Sequence, residues 1–404
     1  MHDSASLDAL VSRRVDYRYR RHGFAFDLSQ ALFSSAAVDG GTHLLLATVA
    51  DELEVDSYDR FVDVGCGVGT LGIALAGSAS RPLVAVDRDA LAVAFTRRNA
   101  ATNGVDSLSA KLALTVPEYP GEGRELVASN IPAKAGEPVL RMLIDQIGRR
   151  ASLSGGHAAV VIVRPLADLL DSELSSIGAT IVAERRTANH AAVIFSCQVP
   201  PQDPAPDAPL PEQFVRDAVE FPGPSRPYRI DTVYNLPDFD RLSFRTALAF
   251  DLLRGTELAG PVLLYGCGQG HLLAGLSQRA GRSAALQIAD RDLLALEIAS
   301  RNAAALGVRL DRVTAVPTIA SLVAQAEAGS LGWLVIDDDP TPGSRWNRDI
   351  ADAASRLLTA TGKLLIVSRS TSVGRFQREA GPAYAQIAER RMHGFRAAAL
   401  RPRR

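Results

Sequence analysis

The segment DRDALAVAFTRRNAATNGV, Asp87–Val105, returns as DRDLLALEIASRNAAALGV, Asp290–Val308, matching at 11 of 19 positions without a gap and 203 residues further on. Each copy follows a glycine-rich turn by about twenty residues, DVGCGVG at Asp63–Gly69 and YGCGQG at Tyr265–Gly270. A third echo, AERR, closes each half at Ala183–Arg186 and Ala388–Arg391, 205 residues apart. An offset this constant means one nucleotide-binding type of unit written twice. A chain of 404 residues is long enough for two such domains, each with its own core.

Between the halves lies VPPQDPAPDAPLPE, Val199–Glu212, with six prolines in fourteen residues. It reads as a semi-rigid, extended linker, which sets the domains at 1–198 and 213–404. In the first half, apolar runs alternate with helical patterns: strands at Phe61–Gly65, Pro82–Asp87, Glu125–Asn130 and His157–Val163, helices at Thr70–Ala76, after Asp87 as far as Gly104, and at about Glu137–Ala151. TIVAERR and AAVIFSC form a closing pair, and the second half repeats the order with PVLLYG, ALQIAD, WLVIDD, KLLIVS, AQIAERR and FRAAALR. Continuous hydrophobic strands separated by helices imply an α/β fold, a mostly parallel sheet covered on both faces. Two adjacent closing strands imply an antiparallel hairpin at its edge.

The net charge of −1 gives no global electrostatic case for a polyanionic partner. Local clusters, Arg13, Arg14, Arg18, Arg20 and Arg21 near the start and Arg401, Arg403 and Arg404 at the end, read as solvated ends or helix faces. Three cysteines argue against a disulfide framework, and Cys66 and Cys267, at the same place in the two glycine turns, read as small packing residues. With no signal-peptide pattern and no run long enough for a membrane helix, the expectation is a soluble cytoplasmic protein.

In a parallel sheet the turn after the first strand is the usual ligand cradle. Gly65, Gly67 and Gly69 let the backbone approach a ligand, and Asp87 ends the second strand where a carboxylate can accept both hydroxyls of a ribose. These features fit any adenosine-containing cofactor. Gly67–Gly72 also satisfies the GxGxxG spacing, so a nicotinamide-binding oxidoreductase stays open. Asp63, two residues before the first glycine, would suit a cationic sulfonium-bearing amino acid and would repel a pyrophosphate. In SNIPAKAG, Ser129–Gly136, Asn130 followed by Ile131 and Pro132 sets a side-chain carbonyl beside a backbone carbonyl, a pair that can hold a planar exocyclic amine. No histidine is placed as a general base.

Together these motifs resemble class I S-adenosylmethionine-dependent methyltransferases. More narrowly, the first half is similar to the small-methyltransferase domain of ribosomal RNA guanine-N2 methyltransferases over about residues 20–198, through LFSSAAVDGGTHLLLATV at Leu32–Val49, DVGCGVGTLGIALA, DRDALAV and the Asn130 motif. The resemblance implies two tandem Rossmann-like class I methyltransferase domains, each a mostly parallel seven-stranded sheet, with one half degenerate. It implies S-adenosyl-L-methionine as cofactor, held by Asp63, Gly65, Cys66, Gly67, Gly69, Asp87, Arg88 and Asn130, and no metal. Catalysis would fall to Asn130, Ile131 and Pro132, with Phe33, Ser34 and Asp39 in a segment covering the cofactor. The implied reaction is methyl transfer to an amino nitrogen, on ribosomal RNA guanine, by the N-terminal half, while the C-terminal half positions substrate.

Two departures keep other acceptors open. The family's motif is usually Asn-Pro-Pro-aromatic, whereas here it runs Asn130-Ile131-Pro132-Ala133, which leaves a small-molecule acceptor open and also resembles enzymes modifying ribosomal protein L11. The family also carries its working half second. In this chain's second half Leu264 stands opposite Asp63, and Asp338 is aligned with Asn130. The cluster Asp337–Asp339 reads as a charged loop or a metal-binding group. Trp333 and Trp346 read as packing residues and His271 as a helix start.

Overall fold

A computed structural model describes residues 2–33, 37–198, 210–280 and 285–403. The chain forms two compact units, Val11–Phe214 and Val215–Arg404, and the second also takes in Met1–Leu10. Helix α1 (His2–Leu10) therefore belongs with the second half, and the Ser6 hydroxyl donates to Asp349 at 2.9 Å. Most of the proline-rich linker, 199–209, lies outside the described residues, as do Ser34 and Arg404.

The first unit opens with an antiparallel hairpin, β1 (Arg13–Tyr19) and β2 (His22–Leu28), so Arg13, Arg14 and Arg18 lie on a strand and Arg20 and Arg21 in the hairpin turn, rather than on a free end or helix face. Then follow α2 (Gly40–Glu52), β3 (Arg60–Val64), α3 (Thr70–Ala79), β4 (Leu83–Asp87), α4 (Ala90–Thr102), β5 (Leu108–Leu112), β6 (Glu125–Asn130), α5 (Glu137–Leu153), β7 (His157–Val163), α6 (Ala167–Ser176), β8 (Thr180–Arg186) and β9 (His190–Ser196). The sheet runs β5-β4-β3-β6-β7-β9-β8, with β9 alone antiparallel to its neighbours.

The second unit repeats this plan: hairpin β10 (Val215–Phe221) and β11 (Tyr228–Val233), α7 (Phe244–Leu253), β12 (Val262–Tyr265), α8 (His271–Ser277), β13 (Leu286–Asp290), α9 (Leu293–Ala305), β14 (Leu310–Ala315), α10 (Ile319–Gln325), β15 (Leu331–Asp337), α11 (Trp346–Leu357), β16 (Leu358–Arg369), α12 (Ser370–Ala380), β17 (Tyr384–Met392) and β18 (Phe395–Pro402). Its sheet order, β14-β13-β12-β15-β16-β18-β17, is the same. The seven-stranded sheets with an antiparallel edge hairpin are those the sequence implies. An antiparallel penultimate strand also sets them apart from the all-parallel dinucleotide-binding sheet.

The repeated segment has a structural job in both units. Asp89 and Asp292 cap α4 and α9, accepting from the Leu91 and Leu294 amides. Buried Asn99 accepts from the Asp27 amide and donates to the carbonyls of Asp27 and Val68. Asn302 does the same with Asp231 and Gln269. The preceding arginines, Arg98 and Arg301, pair with Asp27 and Asp231. An asparagine amide, with donor and acceptor side by side, thus clips each hairpin to its helix. In the first unit Glu125, fully buried at the start of β6, is held by Arg150 at 2.7 Å and Arg60 at 3.0 Å.

Among the described residues no helix is long and apolar enough to cross a membrane.

Candidate active site

At the end of β3 the chain passes through Gly65, Gly67 and Gly69 at φ of 74°, 56° and 86°, a left-handed path that favours glycine. A Cβ at Gly65 or Gly67 would meet no atom within 4 Å, whereas one at Gly69 would lie 2.7 Å from Ile73. Two glycines therefore keep a cradle open and the third serves packing. The Gly67 and Asp89 amides each donate to Asp87, at 2.9 Å to opposite oxygens, leaving each oxygen a further lone pair. Burial raises the Asp87 carboxyl above its ordinary range, against these amides and the neighbouring Arg88. The Cys66 thiol is buried, takes a hydrogen bond from Thr96 at 3.3 Å, and is pushed well up by burial, so it packs rather than reacts.

Asp63 is 1% exposed, accepts the Gly72 amide at 2.8 Å, and has no cation paired with it among the described residues. Burial pushes its carboxyl up to about 7, with Asp87 adding to the rise. A Cβ on Gly72 would lie 2.8 Å from the Asp63 side chain. The last glycine of the GxGxxG spacing is thus there to admit Asp63 and α3, not a pyrophosphate.

Asn130 ends β6 on the same edge of the sheet. Its amide nitrogen donates to Asp39 Oδ2 at 2.9 Å and to Thr42 Oγ1 at 3.1 Å. The side-chain carbonyl has no protein donor among the described residues. Asp39 also caps α2 through the amides of Gly41 and Thr42, so one carboxylate fixes both the helix start and the Asn130 orientation. Ile131 is buried with its amide on the Val161 carbonyl, and the Pro132 carbonyl accepts from Ala135 at 3.0 Å, closing the short turn. Phe33 is 70% exposed.

Sequence reasoning missed three members. Thr42 holds Asn130. A Cβ on Gly41 would lie 2.8 Å from Asp39 Oδ2 and 3.1 Å from the His190 ring, so glycine is needed for space. His190 itself opens β9 beside them. Only the GG pair in Asp39-Gly40-Gly41 hinted at this crowding.

The second unit has lost the arrangement. Asp63 pairs with Ala128 across the sheet and Leu264 with Val335, so Asp337, and not Asp338, stands on the rung of Asn130. The sheet register corrects the sequence alignment by one residue. Counted from the helix caps Asp39 and Ser243, Arg245 takes the place of Gly41, and its guanidinium pairs with Asp337 and Asp339. Asp339 also accepts from Ser368 at 2.7 Å. Asp338 accepts from the Trp346 indole at 3.0 Å, and burial pushes its carboxyl up to about 6. The three acids are thus engaged by protein donors, and no group of three or more His, Cys, Asp or Glu among the described residues converges as a metal site would. At Gly266 a Cβ would lie 2.2 Å from the Asp337 carbonyl oxygen, so the arm of the cradle open at Gly65 is closed here. Trp333 is core, and His271 starts α8 with Nδ1 2.7 Å from the Tyr228 hydroxyl.

The family model described as Methyltransferase small domain matches residues 24–177, from β2 to the end of α6. Over these residues the chain is similar to a methyltransferase small domain. Among curated relatives, ribosomal RNA small subunit methyltransferase C of Actinobacillus pleuropneumoniae is 33% identical over 154 residues, 36% of this chain and 45% of that protein. The ribosomal protein L11 methyltransferase of Methylobacillus flagellatus is 35% identical over 127 residues, 31% of this chain and 40% of its own length. The chain thus spans less than half the length of these two relatives. Among solved structures, the T. thermophilus 16S rRNA N2 methyltransferase in complex with AdoMet and guanosine superposes with a TM-score of 0.68, covering 98% of this chain and 100% of its own. At 16% identity that likeness is one of fold, and it spans both halves of the chain.

Proposed function

We propose that the chain is an S-adenosylmethionine-dependent methyltransferase acting on an amino nitrogen of ribosomal RNA guanine, and that its first unit carries the reaction. The observation that carries this reading is the fixed Asn130 amide: its nitrogen is engaged by Asp39 and Thr42, which leaves its carbonyl without a protein donor among the described residues and able to accept from a substrate amine. The likeness to small-subunit ribosomal RNA methyltransferases supports the substrate class, and a cytoplasmic location is part of the same reading.

The residues fit the cofactor. Gly65 and Gly67 leave an open cradle, Asp87 keeps lone pairs for ribose hydroxyls, and Asp63 is a buried carboxyl without a cation of its own. S-adenosylmethionine would supply the electrophilic methyl group. The Asn130 carbonyl would accept from the acceptor amine and hold its lone pair in line, and the Ile131–Pro132 turn would fix the distance. Alignment of this kind contributes up to roughly 7–11 kcal/mol when reactants are well oriented. In the second unit Leu264 and the Arg245–Asp337 pair stand where Asp63 and the open Asn130 pocket stand in the first, so it would serve to position substrate.

Methyl uptake from labelled S-adenosylmethionine into unmodified small-subunit ribosomal RNA tests the proposal. Asn130→Ala should abolish transfer and leave cofactor affinity near that of the unaltered protein. Activity that survives Asn130→Ala and disappears with Asp337→Ala would place the reaction in the second unit and overturn the proposal. The likeness to L11 methyltransferases favours a protein amine as the second reading, and label entering ribosomal protein rather than RNA would establish it.

A further inference from the structure

Beside the Asp39–Asn130 pair stands an imidazole with no assigned part. Strand register places Asn130, Val161 and Ala192 on one rung of β6, β7 and β9. His190, two residues before Ala192, therefore projects from the same face of the sheet as Asn130, at the edge where β6 and β7 end. It is separated from Asn130 by two strand spacings, about 10 Å across the sheet. Its ring lies along the first turn of α2: Cδ2 and Nε2 are 3.1 and 3.3 Å from the Cβ position of Gly41, and Cε1 is 3.6 Å from that of Gly40. Asp39 Oδ2 is 2.8 Å from the same Gly41 point. The imidazole and the carboxylate that holds Asn130 thus converge on one glycine. His190 is only half-buried, and neither ring nitrogen has a protein hydrogen-bond partner among the described residues.

The second unit supplies an internal comparison. Val163 pairs with His190, and the corresponding Arg369 pairs with Phe395. The imidazole is thus replaced by a phenyl ring in the unit where Gly41 has become Arg245 and Asn130 has become Asp337. The polar ring is present only where the open asparagine carbonyl is present.

We infer that His190 is the specificity residue of the acceptor pocket, giving a ring nitrogen to a polar edge of a planar heteroaromatic acceptor whose amine is held by Asn130. Two hydrogen-bonding groups set apart on one sheet face address two edges of a single ring system. A flexible aliphatic amine such as lysine presents one polar atom and needs no second contact. The inference rests on the methyltransferase reading above and deepens it by assigning a second contact to the acceptor ring.

The test uses the full chain with S-adenosylhomocysteine bound, with guanosine as the probe and Nα-acetyl-lysine as the control. The His190 ring resonances, assigned by their absence in His190→Gln, should move on addition of guanosine and stay in place with the lysine compound. In the transfer assay His190→Phe should raise KM for RNA at least ten-fold with kcat changed less, and His190→Gln should recover most of the loss, since an amide can make the bond that a phenyl ring cannot. Calorimetry should show S-adenosylmethionine affinity unchanged in both variants. Guanosine leaving the ring unmoved, or His190→Phe matching the unaltered KM, overturns the inference. If the unaltered protein binds no S-adenosylmethionine, the methyltransferase reading falls first. If His190→Phe does not fold, the ring shift and the His190→Gln kinetics decide alone.

Discussion

The Asp63 carboxyl is the residue on which the chemistry and the stability of the first unit meet. Its ordinary value lies near 3.8, and in the fold it is pushed up to about 7, so the folded chain holds a proton there that the unfolded chain releases. That contribution to stability is fully present below about pH 4 and is lost as pH rises through about 7, a change on the order of 4 kcal/mol by pH 8. Asp63→Asn keeps an acceptor for the Gly72 amide and should remove this slope, which chemical denaturation at several pH values would show. A cationic cofactor favours the ionised form, so binding near pH 6 should release a proton, read by calorimetry in buffers of different ionisation enthalpy. Affinity should rise from pH 6 to 8 in the unaltered protein and stay lower and flatter in Asp63→Asn. Asp63 was legible in the sequence as an acid before a glycine turn; its lack of a counter-charge depends on what packs around it, which no local pattern reports.

At the scale of elements, the first turn of α2 joins the cap, the Asn130 amide and His190 at a point where only glycine fits. Gly41→Ala should lower transfer by roughly ten-fold or more through misplacement of Asn130, with cofactor affinity nearly intact. A variant with full activity would show that α2 does not orient the site. The hairpin clip makes a separate prediction: Asn99→Ala strands the Asp27 amide and two carbonyls, and should destabilise the first unit by about 2–4 kcal/mol in urea denaturation. Arg150→Met, which removes the close partner of buried Glu125, should do so by about 3–5 kcal/mol. The central strands could be read from sequence because FVDVG, PLVAVD and HAAVVIV are continuous apolar runs of the kind a sheet covered on both faces requires. Strands β5 and β14 were missed because LSAKL and LDRVTA are short, polar edge segments, and the β1–β2 hairpin was hidden in its arginines.

Over the whole chain, the duplication explains why the most visible repeat says least about chemistry. Asp89 with Asp292, Arg98 with Arg301 and Asn99 with Asn302 are retained because each unit needs a capped helix and a clipped hairpin. The positions facing the cradle have diverged: Asp63 against Leu264, Gly41 against Arg245, Asn130 against Asp337 and His190 against Phe395. The first and third pairs could be sought by aligning the halves, although the second-half acid at the Asn130 rung needed the sheet register. The Gly41–Arg245 and His190–Phe395 pairs lie outside any shared motif and emerge only from the helix caps and the strand register. One working unit and one closed unit is the central claim, and calorimetric titration of the full chain with S-adenosylmethionine tests it most directly. The account predicts one site per chain, lost in Asp87→Ala and retained in Asp290→Ala. Two sites, or a single site that survives Asp87→Ala and disappears with Asp290→Ala, would contradict it.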